Sequence, residues 1–227
     1  MKQETFGKIE QFMLESMKDS AHDREHIYRV LYLALDIAEH EQGVNKDILV
    51  ISCLLHDIGR ERQYRDPSVC HARAGSEMAY RYLIDNGFSM EDALHVRACI
   101  SSHRYRSEDP PASIEARILY DADKLDATGA MGIARTLLYQ GQESEPLYST
   151  DAGGGVLDGS MDAEPSFFRE YHYKLKKLYG NFHTEHGGRL AEERRKAAAS
   201  FYENLLNEVK AAHVRGNEIL SAFLEPI

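Results

Sequence analysis

Apolar residues recur at spacings of three and four along almost the whole chain, and this pattern restricts the fold more than any other feature. Helical stripes of this kind run at about 4–17, 22–42, 46–57, 71–86, 90–103, 113–140, 166–180 and 187–215. No segment shows a convincing alternation of apolar and polar residues, which is the pattern of a half-buried strand. The sequence therefore predicts an all-α fold, a helical bundle with additional C-terminal helices.

Polar residues and glycines mark the ends of several predicted helices. Ser20 with Asp23, and Ser89 with Asp92, have the spacing of a capping box, in which two residues satisfy each other's backbone N–H groups. Three glycines follow apolar runs at points where a helix would end, namely Gly43, Gly59 and Gly87. These signals favour separate helices joined by short connections.

One segment differs from the rest in composition, because residues 141–165 are rich in Gly, Ser and Asp. A loop of this length in a compact domain is usually functional or disordered. We expect residues 1–140 to form a catalytic helical domain and residues 141–165 to form a loop or a lid. Residues 166–227 would then be C-terminal helices that pack on the same bundle. The alternative is a linker between an N-terminal bundle and a small C-terminal helical pair.

Charge and hydropathy argue against two classes of protein. The formal net charge is −10, whereas general nucleic-acid binders usually have a basic surface. No apolar run is long enough to span a bilayer, and the N-terminal residues lack the apolar core of a signal peptide. We therefore expect a cytoplasmic protein with no membrane partner and no specific nucleic-acid partner. A small anionic substrate is compatible with this charge, since a bound divalent cation can invert the local field.

The first candidate for a functional site is a histidine–aspartate pair at the end of an apolar helix. His56 and Asp57 end the run LVISCLLHDIG, and Gly59 follows them. The dipeptide alone is a weak motif, but its position makes it informative. An imidazole and a carboxylate are costly to bury beside apolar residues unless something pairs with them. A divalent metal would satisfy both groups.

Two further polar residues lie on predicted inward faces and could complete a metal site. His26 shares a helix face with Val30, Leu33 and Ile37, and Asp123 lies inside the apolar helix around RILYDADKLDA. Taken alone, such a histidine is more often a hydrogen-bonded core residue than a ligand. Two histidines and two carboxylates together form a mixed nitrogen and oxygen set, which suits Mn, Fe, Co, Ni or Zn better than calcium.

The order of these residues resembles the HD-domain phosphohydrolase superfamily. His26 lies in HIYRV, His56 and Asp57 in LLHDIGR, and Asp123 in DADKLDA. The run DADKLDATGAMGIAR is similar to a bacterial branch of nucleotide pyrophosphohydrolases. The resemblance implies an HD-domain helical bundle, a divalent metal held by these four residues, with manganese expected first, and hydrolysis of (d)NTPs to the monophosphate and pyrophosphate.

Other residues are candidates for catalysis, for substrate binding or for support of the ligands. His71 and His103 lie on inward faces, and we favour a substrate-contacting or acid/base role for them, beside Asp57, over ligation of a second metal. Core histidines are the simpler alternative. His22 and Asp23 could orient His26 or water, although Asp23 also fits a capping role. Five basic residues could form a phosphate clamp: Arg60, Arg62, Arg65, Lys124 and Arg104.

Three functions are compatible with this constellation. The first is hydrolysis of nucleoside triphosphates to pyrophosphate by a metal-activated water. The second is a phosphomonoesterase or cyclic-nucleotide phosphodiesterase on the same site. The third is a metal-bound nucleotide sensor without turnover. In each case the partner is a small phosphorylated molecule, for which a nucleotide is the leading candidate, and the sequence leaves a homodimer open.

Overall fold

Helices dominate the computed structural model, which describes residues 1–17, 24–104 and 110–224. Within these ranges the only β geometry is an isolated bridge between Thr150 and Val156, so the predicted all-α fold is confirmed. A short 3₁₀ helix covers Leu175–Lys177. The α-helices are α1 (Gln3–Ser16), α2 (Arg24–Ala38), α3 (Lys46–Leu55), α4 (Arg60–Arg65), α5 (His71–Asp85), α6 (Met90–Ser102), α7 (Ile114–Asp126), α8 (Gly129–Gln142), α9 (Phe167–Tyr173) and α10 (Glu185–Phe223).

The chain divides into two compact units. The first comprises Met1–Asp126 with Phe182–Gly188, and the second comprises Ala127–Asn181 with Arg189–Ile227. The proposed division at residue 140, and the packing of the C-terminal helices on the bundle, stay predictions. None of the described helices is long and apolar enough to cross a membrane.

Helix α3 lies at the centre of the first unit, in contact with α1, α2, α5, α6 and α7. Its sequence KDILVISCLL is apolar on every side after the first turn, and a helix of this kind is stable only when it is surrounded. Asn45 begins the helix, because its side-chain oxygen accepts hydrogen bonds from the backbone N–H groups of Asp47 and Ile48. The histidine–aspartate pair therefore lies where this buried helix ends.

A close backbone contact fixes the turn that follows α3. A Cβ atom added at Gly59 would lie 2.2 Å from the carbonyl oxygen of His71 and 2.5 Å from the backbone nitrogen of Gly75. The first turns of α5 therefore pack directly against the turn that carries His56 and Asp57. The short helix α4 was not predicted, because RERQYR has no apolar stripe and buries no residue.

The prediction of a single helix over about 113–140 was wrong, since α7 ends at Asp126 and α8 begins at Gly129. Thr128 has extended backbone geometry, and Gly129 has a positive φ of 64° that residues with a side chain rarely adopt. Periodicity alone did not reveal this break, because apolar residues continue through both helices.

The second unit has its own aromatic core, to which the Gly-rich segment 141–165 is joined by hydrogen bonds. The core consists of Ile133, Phe167, Phe168, Tyr171, Leu175, Ala198 and Tyr202. The Tyr202 hydroxyl donates a hydrogen bond to the Asp158 carbonyl, and the Phe167 N–H donates to the Pro146 carbonyl. A role of 141–165 as a lid stays a prediction. Helix α10 runs to Phe223, beyond the predicted end near 215.

Candidate metal centre

The first unit brings the four predicted metal ligands together, although they come from three separate segments. The Nε2 atom of His26, on α2, lies 3.3 Å from the Oδ1 atom of Asp123 on α7 and 3.6 Å from the Oδ2 atom of Asp57. The Nε2 atom of His56 lies 3.3 Å from that of His26 and 3.7 Å from Asp57 Oδ2. Two ligand atoms on one ion with bonds of about 2.1 Å lie roughly 3.0–3.5 Å apart, so these separations nearly match a coordination shell.

Hydrogen bonds on the far side of each imidazole ring direct the Nε2 atoms into this cluster. His26 Nδ1 lies 2.8 Å from the Asp126 carboxylate, and His56 Nδ1 lies 2.8 Å from the carbonyl oxygen of Cys53. Both partners are acceptors, so each Nδ1 carries the proton and each Nε2 has its lone pair available when the ring is neutral. This is the arrangement that metal-binding histidines typically have.

Asp126 supports the site from behind His26, although the sequence analysis did not select it. Besides His26, its carboxylate accepts hydrogen bonds from Arg29 Nε at 2.7 Å and from Arg29 Nη2 at 3.1 Å. Asp126 is 1% exposed. Its spacing of three from Asp123 is the signal that could have identified it, because residues three apart share a face of a helix.

Asp57 also faces a second group of side chains through its other oxygen. Asp57 Oδ1 lies 3.5 Å from His71 Nε2 and 3.7 Å from His103 Nε2, and it accepts a 2.9 Å hydrogen bond from Arg60 Nε. Asp57, His71 and His103 could hold a metal ion, as could His26, His56 and Asp123. The structure therefore brings both predicted catalytic histidines to the same carboxylate as the first cluster.

His71 and His103 are oriented in the same way as the first two histidines. The Nδ1 atom of His71 lies 2.8 Å from Gln63 Oε1, and that of His103 lies 2.6 Å from the Ile100 carbonyl oxygen. Their Nε2 atoms are buried and have no hydrogen-bond partner among the described residues. Four imidazole Nε2 atoms thus converge on two carboxylates. A buried pocket lined mainly by acceptors is costly unless it receives a cation or a donor, so these residues fit a divalent metal.

The charges in the pocket shift several pKa values strongly. Burial opposes a positive charge on His26, but hydrogen bonds with Asp123, Asp126 and Asp57 outweigh it and raise its pKa to about 11. Burial lowers the pKa of His56 to about 4. Burial opposes the charge of Asp57 as well, yet His56 and Arg60 hold the pKa of Asp57 well below its usual range. These opposing shifts are typical of functional sites.

The predicted phosphate-binding residues occupy four kinds of position. Arg60 lies against Asp57, while Arg62 and Arg65 are exposed and Arg65 pairs with Glu61. Arg104 is half-buried and directs Nη1 towards the Cys70 sulfur at 3.8 Å. Lys124 is buried, with its ammonium 4.7 Å from the Phe182 ring centroid and 5.5 Å from that of Tyr120. In the contacts given above, Arg60 is the one of these five residues that touches a predicted metal ligand.

The two predicted supporting residues His22 and Asp23 lie outside the described residues, and so does the Ser20–Asp23 capping box. The second capping box is present in part, since the Ser89 hydroxyl oxygen accepts the backbone N–H of Asp92 at 3.0 Å.

The sequence around this cluster matches a known family. Residues 24–128 match the family model described as the HD domain. These residues belong to the HD-domain family. The match contains all four predicted ligands and both histidines of the second group, so the resemblance to the HD-domain superfamily is confirmed.

Proteins similar to this chain include an HD-superfamily hydrolase of known structure. An HD-superfamily hydrolase from Bacillus thuringiensis superposes with a TM-score of 0.73 at 28% identity, covering 93% of this chain and 100% of the other. Bacillus subtilis YpgQ in complex with ADP superposes with a TM-score of 0.69 at 27% identity, covering 90% and 95%. YpgQ, described as uncharacterized, is 29% identical over 198 residues, which are 85% of this chain and 86% of YpgQ. The family match and these similar proteins together support the interpretation of the chain as a hydrolase.

Proposed function

We propose that this HD protein is a metal-dependent phosphohydrolase that cleaves (d)NTPs to (d)NMP and pyrophosphate. The observation that carries the proposal is the convergence of four imidazole Nε2 atoms on the two oxygens of Asp57. The same site contains an arginine, Arg60, that can contact phosphate.

The metal would be held by His26 Nε2, His56 Nε2, Asp57 Oδ2 and Asp123 Oδ1. A divalent ion in this position lowers the pKa of a bound water and polarises a phosphoryl oxygen. The mixed nitrogen and oxygen donors support a transition metal, and manganese is the metal that we test first, with Fe, Co, Ni and Zn as alternatives. The protein's own contribution is to hold these donors rigidly, through Asp126 behind His26 and the Cys53 carbonyl behind His56.

Arg60 argues for one metal rather than two. A second ion between His71 and His103 would need Asp57 Oδ1, which already accepts a hydrogen bond from the Arg60 guanidinium. A guanidinium and a divalent cation at one oxygen repel each other, whereas a phosphate oxygen would be attracted to both Arg60 and a protonated His103. We therefore assign His71 and His103 to substrate contact and proton transfer.

The two histidines suit different parts of that task. Burial opposes protonation of His103, but the Asp57 and Asp123 carboxylates outweigh it and raise its pKa, so it can carry a proton to a leaving oxygen. Burial and the positive charge of Arg60 lower the pKa of His71 to about 3. His71 therefore stays neutral near pH 7 and accepts hydrogen bonds through Nε2. Gln63 holds its ring in the required orientation.

The nucleotide part of the proposal is supported by a relative. The structure of YpgQ contains ADP, and YpgQ shares 27% identity with this chain over nearly its whole length. ADP carries a base, a sugar and a phosphoanhydride, all of which a (d)NTP also has. For the remaining basic residues, Arg62, Arg65, Arg104 and Lys124, we propose phosphate contact in a complex whose side chains rearrange around the substrate.

The deciding experiment is a phosphohydrolase panel with Mn²⁺ and (d)NTPs in which pyrophosphate and orthophosphate are measured separately. Pyrophosphate release that disappears in Asp57→Ala, with an unchanged helical circular dichroism spectrum, supports the proposal. Orthophosphate or a linear nucleotide product would instead favour a phosphomonoesterase or cyclic-nucleotide phosphodiesterase. Bound metal without turnover of any nucleotide would favour the sensor.

A pair of variants on one helix tests the role of His103. His103→Ala should keep the metal but reduce kcat by about 10²–10⁴-fold, the usual contribution of general acid–base catalysis. His95→Ala is the matched control, because His95 lies on α6 and pairs with Glu115, 3.1 Å away, outside the ligand cluster. Loss of one of two bound metal ions in His103→Ala would show that His103 is a metal ligand.

A further inference from the structure

A second group of metal-ligating side chains lies on the surface of the first unit, away from the HD cluster. It consists of Asp36, His40 and His186, whose potential ligand atoms all lie within 4.8 Å of one another. Asp36 lies ten residues after His26 on α2, which corresponds to about 15 Å along the helix axis. The group is therefore separate from the four ligands described above.

The contacts within this group already bring its donors together. His186 Nε2 lies 3.1 Å from Asp36 Oδ2, and the rings of His40 and His186 stack with centroids 3.8 Å apart. His40 Nδ1 lies 3.1 Å from the carbonyl oxygen of Asp36. That carbonyl is an acceptor, so Nδ1 of a neutral His40 ring carries the proton and Nε2 presents a lone pair.

The segment that supplies His186 is held firmly in the first unit. The buried Asp121 carboxylate accepts hydrogen bonds from the backbone N–H of His183 and from both the N–H and the hydroxyl of Thr184. Gly187 packs so closely that an added Cβ would lie 2.9 Å from Asp121 Oδ2. One ligand is therefore preorganised, while Asp36 and His40 are exposed and can rotate towards an ion.

The local charge and donor types favour a particular class of cation. Asp36, Glu39 and Glu41 place three carboxylates in six residues around His40, and this attracts positive charge. Two imidazoles with one carboxylate suit Zn²⁺, Cu²⁺ or Ni²⁺, whereas Mg²⁺ and Ca²⁺ prefer oxygen donors alone. Three protein ligands at an exposed position leave at least one coordination position of the ion open to water.

We propose that Asp36, His40 and His186 form a surface site for a divalent transition metal, distinct from the HD centre. Occupation of the site links the C-terminal end of α2 to the first turn of α10. Because the ion binds the folded arrangement only, it stabilises the first unit at ion concentrations above the dissociation constant. The inference does not depend on the reaction proposed for the HD centre.

Zn²⁺ binding to the full-length protein tests the proposal, with stoichiometry and affinity measured by equilibrium dialysis. We use the double variant His56→Ala/Asp57→Ala as the background, because each of the two candidate ligand groups of the HD centre then lacks a ligand and contributes little to the count. This background should retain one Zn²⁺ equivalent. Adding His40→Ala or His186→Ala should weaken its binding at least tenfold. Adding Asp85→Ala, which removes an exposed carboxylate at the end of α5 that belongs to none of the candidate metal groups, should change the affinity by less than about threefold, the effect of one screened surface charge.

Two outcomes overturn the proposal. The first is a His56→Ala/Asp57→Ala protein that binds no Zn²⁺. The second is a Zn²⁺ affinity that is the same with and without both His40→Ala and His186→Ala. Since His40 is exposed, its replacement tests the site even if His186→Ala disturbs the start of α10. Circular dichroism of each variant identifies any such disturbance.

Discussion

Asp126→Asn should weaken metal binding although Asp126 does not point at the metal position. The carboxylate makes one hydrogen bond to His26 Nδ1 at 2.8 Å and two to Arg29 at 2.7 and 3.1 Å. An asparagine oxygen can still accept from His26, but as a neutral acceptor it makes a bond about half as strong. Its NH₂ group would then face Arg29, where it cannot accept.

The expected magnitude follows from these three contacts. Loss of an outer carboxylate behind a metal-binding histidine typically reduces metal affinity or activity about 10–100-fold, or about 1.4–2.7 kcal/mol. Loss of the charge-assisted bond from Arg29 Nε, together with weakening of the bond from Arg29 Nη2, adds about 2–4 kcal/mol of destabilisation. We expect metal titration to show the first effect, and thermal unfolding of the metal-free protein to show the second.

Asp121→Asn is the matched control for this substitution. Asp121 lies on the same helix, α7, and is equally buried, but its partners are backbone and hydroxyl groups of residues 183 and 184. It should lower the melting temperature while changing the affinity of the HD centre for metal by less than about twofold, because none of the contacts named here joins Asp121 to a ligand of that centre. If Asp126→Asn binds metal as tightly as the wild type, or if both variants weaken binding equally, orientation of His26 by Asp126 is refuted.

Two further predictions concern packing and pH. Gly59→Ala should destabilise the protein by more than about 2 kcal/mol and abolish activity, since the new Cβ would meet the His71 carbonyl at 2.2 Å. Gly7→Ala on α1, where the space is open, should stabilise it by about 0.4–1 kcal/mol. Thermal unfolding of both variants tests this difference between the two glycines. Equal changes in the melting temperature would contradict it. Burial holds the pKa of His56 at about 4 and that of His71 at about 3, below the unfolded value near 6.5. Each histidine therefore stabilises the metal-free protein above pH 6.5. That stability is lost as the pH falls towards 4, by about 1.4 kcal/mol per pH unit per histidine. A melting temperature that stays constant from pH 7 to 5 in the presence of a chelator would contradict this.

Local patterns in the sequence were sufficient for most helices and for the identity of the four candidate ligands. Helical periodicity depends on neighbours three and four residues away, so it can be found without knowledge of the fold. The predictions failed where the determinant lies outside that range. Helix α4 has no apolar stripe, and the break between α7 and α8 depends on the backbone conformations of Thr128 and Gly129.

The sequence by itself determined that the chain is helical, that it carries an HD domain, and that His26, His56, Asp57 and Asp123 are the residues to test as ligands. Only the tertiary structure decided that Asp57 faces both groups of histidines, one with each oxygen. It likewise decided that Asp126 orients His26 and that His186 meets Asp36. These contacts join residues from 14 to 150 positions apart. Such separations leave no periodic trace in the sequence, because they depend on how whole helices pack.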